Sequence, residues 1–235
     1  MKNKTSIIIG GTKGIGSVIV KKLKDRGDKT IIFSRNINKK FKSQKLNLID
    51  KNQIKNTFSN NLKLKRIDNL IFSHRYRGNN EQEDYQISLH SVEQIIDLMK
   101  DKLSKKSSII IINSIAIRTI VDDQPQRYHV IRGGLEQLTK YAAIKLGKNG
   151  TRVNSILVTK IIKPENKNFF LKKNNSVRRM MEKITPLRRM GDAEDVANLV
   201  DFLTNDKSSF ITGLSIPIDG GTHLLSQESI TKIKY

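Results

Sequence analysis

Ile7-Ile8-Ile9-Gly10-Gly11-Thr12-Lys13-Gly14-Ile15-Gly16 is the stretch that decides the fold. A β-branched run ends in glycines, and an amphipathic pattern begins immediately after it, so the segment reads as a buried strand, a tight turn and a helix. The glycines permit positive φ and leave no Cβ between backbone and ligand. The free N–H groups at the start of the next helix, near Gly16 and Ser17, then point at an anion. A nucleotide phosphate is the first expectation, and a tight turn without a ligand is the plain alternative.

Working outward, Val18, Ile19, Val20 and Leu23 give the helix an apolar side, Gly27 ends it, and Thr30 to Phe33 forms a second strand. This is one βαβ unit. Where such a second strand ends, an acidic residue binds the ribose 2′-OH of NAD and a basic one accepts the 2′-phosphate of NADP. The chain has Ser34-Arg35-Asn36 there, with no carboxylate, so NADP is expected and NAD is the less favoured cofactor.

A continuous apolar run from Ser107 to Ala116 reads as a buried parallel strand. Ligands bind beyond the carboxyl ends of such strands, which places Ser114 for chemistry. Fourteen positions on stands Tyr128, with Arg132 one helical turn later and an apolar face of Ile131, Leu135, Leu138 and Ala142. In a helix i and i+4 share a face, so phenol and cation lie side by side. At ~5 Å and an effective dielectric of ~20 the cation stabilises a phenolate by ~3 kcal/mol. That is what the reduction of a carbonyl, or its reverse, requires of a proton donor and acceptor.

Length and composition bound the rest. A chain of 235 residues, with no repeat or linker, suits one α/β domain over residues 1–235. There is no cysteine, and four scattered histidines form no metal pattern, so no metal is expected. The start, Met1-Lys2-Asn3-Lys4-Thr5, runs straight into the first strand, and no apolar run reaches the ~18 residues of a membrane span. The expectation is a cytoplasmic protein with no membrane partner. The 44 Lys+Arg against 22 Asp+Glu give a net charge of +22. These charges are spread over nearly every segment without aromatic interleaving, so solvated faces are expected rather than specific nucleic-acid binding.

The spacing of Gly10, Gly14 and Gly16 resembles the glycine motif of the short-chain dehydrogenase/reductase family, with Ile9 where that family prefers Thr. Ser114 followed by Tyr128-His129-Val130-Ile131-Arg132 resembles its active-site pattern, with Arg132 in place of the usual lysine. Asn47-Leu48 resembles its adenine-pocket pair, with an amide for a carboxylate. Thr185 to Gly191, Asp195-Val196-Ala197, Phe210 to Gly213 and Asp219-Gly220-Gly221 follow its carboxyl-terminal pattern, so the likeness covers residues 5 to 223.

The resemblance implies a doubly wound parallel sheet in three α/β/α layers. It implies cofactor binding by Gly10, Thr12, Lys13, Gly14, Ile15, Gly16, Ser34, Arg35, Asn47, Leu48 and Ser73, with Lys13 a second cation for the 2′-phosphate. It implies catalysis by Tyr128 as acid and base, Ser114 orienting the oxygen, and Arg132. Ser88, before a helix expected over about Val92 to Leu103, falls at the family's catalytic Asn. A homodimer or homotetramer paired through the helices around Tyr128 to Leu146 is implied too.

Departures cluster at one end of the site. Phe72-Ser73-His74-Arg75 replaces Asn-Asn-Ala-Gly in a turn lying over the cofactor, and Val158-Thr159 replaces Pro-Gly. Lys160 to Lys183, with little periodicity, matches the variable substrate lid. Its cations Lys163, Lys167, Lys172, Lys173, Arg178 and Arg179, with Arg75 and Arg77, lead to the expectation of an anionic small-molecule substrate, such as a phosphorylated or nucleotide-linked sugar or an acyl carrier. The rival reading is a catalytically silent dinucleotide-binding protein acting as a sensor or assembly subunit.

Overall fold

A computed structural model describes residues 4–62, 64 and 66–232 of the chain. Seven strands form one parallel sheet: β1 (Thr5–Ile9), β2 (Lys29–Ser34), β3 (Gln44–Lys45), β4 (Ile67–Phe72), β5 (Leu103–Ser114), β6 (Arg152–Val158) and β7 (Ser215–Ile218). Their spatial order is β3-β2-β1-β4-β5-β6-β7, with every neighbouring pair parallel. The helices are α1 (Gly14–Asp25), α2 (Lys51–Lys55), α3 (Glu81–Tyr85), α4 (Ser91–Met99), α5 (Gln126–Gly147), α6 (Lys167–Phe170), α7 (Ser176–Ile184), α8 (Ala193–Leu203) and α9 (Gln227–Thr231).

Alternation along the strands explains the layering. Ile7 and Ile9 of β1 pack on one side with Val92, Ile95 and Met99 of α4 and Leu135 and Leu146 of α5. Ile8 packs on the other with Ile19, Val20 and Leu23 of α1 and Val196, Val200 and Leu203 of α8. Because helices cover both faces, β1 from Ile7 to Ile9 and β5 from Ile109 to Ile112 are apolar on both sides, which is why these stretches read as continuous runs of isoleucine. Each such fully buried side chain contributes about 1.5–3 kcal/mol relative to an exposed one. This is the three-layer, doubly wound architecture.

A polar cluster ties the amino ends of β1 and β4 to the outer helices. Ser6 Oγ donates to Asp28, Asn69 Nδ2 donates to Ser6 Oγ (2.8 Å), and Arg26 bridges Asp28 (2.7 Å) and Asp201 (2.9 Å). Burial alone would lower the Arg26 pKa, but the hydrogen bond and charge of Asp28, with those of Asp201, hold it above its ordinary value.

Several expected boundaries shift. The helix expected over Val92 to Leu103 is α4, ending at Met99, and Leu103 already belongs to β5. It also begins earlier: α3, a π-helical turn at Gln86–His90 and α4 follow one another without a break, so Ser88 lies inside a helical rod rather than before one. The strand expected from Ser107 to Ala116 is displaced to Leu103–Ser114, and Ala116 stands in a 3₁₀ turn. The lid segment folds into α6 and α7. Asn175 caps α7 by accepting from the Arg178 N–H (2.8 Å), and an Arg178–Glu182 pair (2.8 Å) supports it one turn on.

Candidate active site

From β1 the chain moves outward to β2 and β3, then returns across β1 to β4 on its other side. The connections leaving the carboxyl ends of β1 and β4 therefore part, and a crevice opens between them. A cleft of about 570 Å³ occupies this place. Two glycines shape its floor. Gly10 has φ +88°, and a Cβ there would lie 2.7 Å from His74 Cα and N. A Cβ on Gly16 would lie 2.2 Å from the Gly10 carbonyl oxygen. The glycine loop thus packs against the β4 turn on one side and its own helix on the other, with room for no side chain.

Gly10, Thr12, Lys13, Gly14 and Ile15 line the cleft; Gly16 lies beneath and does not. The Ser17 N–H, expected to be free for an anion, instead donates to the Lys13 carbonyl (3.2 Å), because α1 already begins at Gly14. The unpaired N–H groups of the first turn belong to residues 14–16.

At the β2 end, Ser34, Arg35, Asn47 and Leu48 line the same cleft. The Ser34 hydroxyl donates to the Asn36 carbonyl (2.6 Å) and so organises the turn. Arg35 is exposed and paired with no carboxylate among the described residues. The carboxylates lining the cleft are Glu83 and Glu165, neither of them on β2 or the turn after it.

Ser114, at the end of β5, and Tyr128 and Arg132, on the first turns of α5, meet at the other end. Arg132 Cζ lies 4.8 Å from the Tyr128 ring centroid. Asn113 joins the two elements: its Oδ1 accepts from the Ser114 N–H (2.9 Å) while its Nδ2 donates to the Arg132 carbonyl (3.0 Å). Ser114 Oγ accepts from the Ala116 N–H (3.2 Å), which leaves its proton free to be donated into the cleft. Burial pulls the pKa of the Arg132 guanidinium down, with the neighbouring Tyr128 opposing the shift.

Ser88 is buried and does not line the cleft. Its hydroxyl donates to Asp84 Oδ1 (2.8 Å), and Asp84 Oδ2 faces Arg127 Nε at 3.4 Å. Asp84 also acts electrostatically on Arg132, so this α3 carboxylate is part of the charge balance around Tyr128. No apolar period marks Glu81 to Gln86, and nothing local in the sequence identifies it.

Ser73 and His74 line the cleft where the β4 turn crosses it. His74 Nε2 is 2.8 Å from the Ile87 carbonyl, and burial, with the nearby Arg132 charge, lowers its pKa to about 4. The ring is neutral, Nε2 is the donor, and Nδ1 is left as an acceptor. His74 Nδ1, Ser73 Oγ and Arg132 Nε are all buried with no hydrogen bond to any described residue. Arg75 brings a second cation to the phenol, its Cζ 5.2 Å from the Tyr128 centroid, held by a 2.9 Å bond to Gln124.

A family model described as enoyl-(acyl carrier protein) reductase matches residues 74–223. An L-rhamnose 1-dehydrogenase (NAD(P)(+)) of a Sphingomonas species is 28% identical over 146 residues, 61% of this chain and 56% of that protein. The chain thus spans about half the length of that relative. An uncharacterized oxidoreductase of Bacillus subtilis, YxbG, is 29% identical over 256 residues, 94% of this chain and 91% of its own. Among solved structures, a short chain dehydrogenase family protein from Francisella tularensis superposes with a TM-score of 0.79 at 25% identity, covering 95% of this chain and 100% of the other. With the glycine loop at the switch point and the serine and tyrosine converging on it, the chain belongs to the short-chain dehydrogenase/reductase family.

Proposed function

We propose that the protein is an NADP(H)-dependent oxidoreductase that reduces a carbonyl, or oxidises a secondary alcohol, on a small anionic substrate. The observation that carries this reading is that Ser114, Tyr128 and Arg132 line the same cleft as the glycine loop. The cofactor fits the residues present. Residues 14–16 would offer N–H groups to its phosphates, and Asn47 and Leu48, which line the same cleft, would hold its adenine. Unpaired Ser73 Oγ, His74 Nδ1 and Arg132 Nε are polar partners for its hydroxyl groups. Arg35, with no carboxylate beside it, favours a 2′-phosphate and so NADP over NAD.

When bound, the nicotinamide supplies or accepts the hydride. Tyr128 Oη gives its proton to the carbonyl oxygen, or takes one from the alcohol in the reverse direction. Ser114 Oγ donates a hydrogen bond to the same oxygen, its own lone pair held by Ala116 N–H. Arg132 stabilises the phenolate left on Tyr128, and Asn113 keeps the strand end and the helix in register. Ser88 acts at a distance, orienting Asp84.

Arg75, its Cζ 5.2 Å from the Tyr128 ring centroid, supports an anionic substrate, since a charge-assisted bond to a phosphate or carboxylate is about twice as strong as a neutral one. Exposed Val130, Tyr141 and Ile144 on α5 support pairing of two copies through that helix, as a dimer or a tetramer.

The test is turnover of NADPH with ketones and their phosphorylated or carboxylated analogues. The reading predicts oxidation of NADPH with higher kcat/KM for the anionic member of each pair. Equal rates for both members count against the anionic substrate, and cofactor binding without turnover on any ketone favours the silent protein.

A further inference from the structure

The cradle that the glycine loop offers to a phosphate is faced by a carboxylate of the chain itself. Gly14 has φ +54°, and a Cβ there would lie 2.9 Å from Glu165 Oε1, with the rest of that carboxylate its next nearest neighbour. The same oxygen pairs with Arg77 Nη2 at 3.9 Å. Glu165 belongs to a 3₁₀ turn, Pro164–Asn166, which opens the segment leading into α6 and α7. That turn is anchored at Lys163, whose N–H donates to Asn166 Oδ1 (2.6 Å).

Lys163 is half-buried and lines the cleft with Glu165, Arg75 and Arg77. Burial lowers the pKa of its ammonium, the charge of Glu165 opposes this, and Arg77 and Arg75 add to the lowering. Three cations from two separate segments therefore share this part of the cleft with one carboxylate, which pairs with Arg77 and acts electrostatically on Lys163. The cluster carries two uncompensated positive charges, which is the charge that the diphosphate of a dinucleotide brings as an anion.

Resting on the dinucleotide reading above, we infer that Lys163 and Arg77 are ligands of the cofactor diphosphate, and that Glu165 holds their place until the diphosphate displaces it. A carboxylate and a phosphate compete for the same kind of donor, and both cannot lie against Gly14, because like charges at that distance repel. Cofactor entry therefore frees Glu165 and, with it, the turn from which α6 and α7 follow. Neither Lys163 nor Arg77 belongs to the glycine loop; this half of the site comes from the segments that follow β4 and β6.

The experiment compares wild type, Glu165→Gln and Lys163→Met. NADPH binding is followed by nicotinamide fluorescence, inorganic pyrophosphate binding by calorimetry, and hydrogen exchange over residues 164–170 with and without ligand. Glu165 is exposed and the Gln change isosteric, so that variant tests the charge without a folding defect. The expected result is NADPH and pyrophosphate binding tightened about 5- to 20-fold in Glu165→Gln, the removal of one like charge. Lys163→Met weakens both at least tenfold. Exchange over 164–170 rises on adding pyrophosphate to wild type and is already raised in ligand-free Glu165→Gln. Unchanged or weaker NADPH binding in Glu165→Gln overturns the inference alone. Absence of both NADPH and pyrophosphate binding in every variant overturns it together with the dinucleotide reading.

Discussion

The guanidinium of Arg132 stacks on the ring of Tyr128, 4.8 Å from Cζ to centroid, and does so one turn along the same helix. The cation is almost fully buried, and its Nε has no hydrogen bond within the described residues. A buried, incompletely paired charge costs stability, and in the proposed reading Arg132 is kept for the phenolate of Tyr128. Replacing Arg132 with Met is expected to leave the melting temperature unchanged or raised. It should lower kcat/KM about 100-fold, the equivalent of ~3 kcal/mol of phenolate stabilisation. Thermal melts and steady-state rates on the same preparations check both halves. A variant that loses stability and rate together would mark Arg132 as structural.

Arg35 governs the choice of cofactor in the proposed reading. A charge-assisted hydrogen bond contributes about 1.5–3 kcal/mol, so Arg35→Ala is expected to weaken NADPH about 10- to 100-fold while changing NADH binding less than threefold. Parallel titrations with the two cofactors measure the ratio directly. Equal losses for both would remove Arg35 from the 2′-phosphate site.

His74 sets a pH dependence of stability. Its pKa falls from an ordinary 6.5 to about 4 on burial, so between these values the unfolded chain binds a proton that the folded one does not. Stability therefore declines as pH drops below 6.5, with about 3 kcal/mol lost by pH 4 from this group. Urea unfolding across pH 7 to 4.5 should show the slope in wild type and a shallower one in His74→Asn. Identical slopes would mean that the ring titrates freely.

Asp28 lies at the centre of the Ser6, Asn69 and Arg26 cluster, its side chain only 3% exposed. Asp28→Ala leaves a largely buried cation whose remaining partners are Asp201 and the Thr204 hydroxyl, with its Nε and Nη2 unpaired. The expected loss is about 3–5 kcal/mol, or roughly 10 °C in Tm for a chain of this size. A change below 1 kcal/mol in chemical denaturation would show that the cluster is inert.

What could be read from the sequence was local. Ile7 to Gly16 announced itself because a strand buried on both faces needs a continuous apolar run, and the loop beyond it needs glycines within a few residues. Ser114 and Tyr128 were legible because a strand end and a helix face are each periodic. Glu81 to His90 was not: its buried residues, Asp84, Gln86 and Ser88, are polar and satisfied by one another or by the Leu48 carbonyl, so a hydrophobic period misses them. His74 looked like a departure only, since its contact with Gly10 joins residues 64 positions apart. In α7 the apolar residues Val177, Met180, Met181 and Ile184 do recur at helical spacing, but the period lasts only nine residues between charged stretches, and the Asn175 cap marks where it begins.

In the proposed reading one cleft holds a nicotinamide dinucleotide against Tyr128. The most direct measurement is titration of wild type and Tyr128→Phe with NADPH, followed by single-turnover oxidation of the bound cofactor with a panel of ketones and oxo acids. NADPH affinities are expected within about fivefold of each other, since one hydroxyl contributes ~1 kcal/mol or less, with oxidation in wild type and none in Tyr128→Phe. Failure of wild type to bind NADPH or NADH, or equal oxidation by both proteins, would contradict this reading.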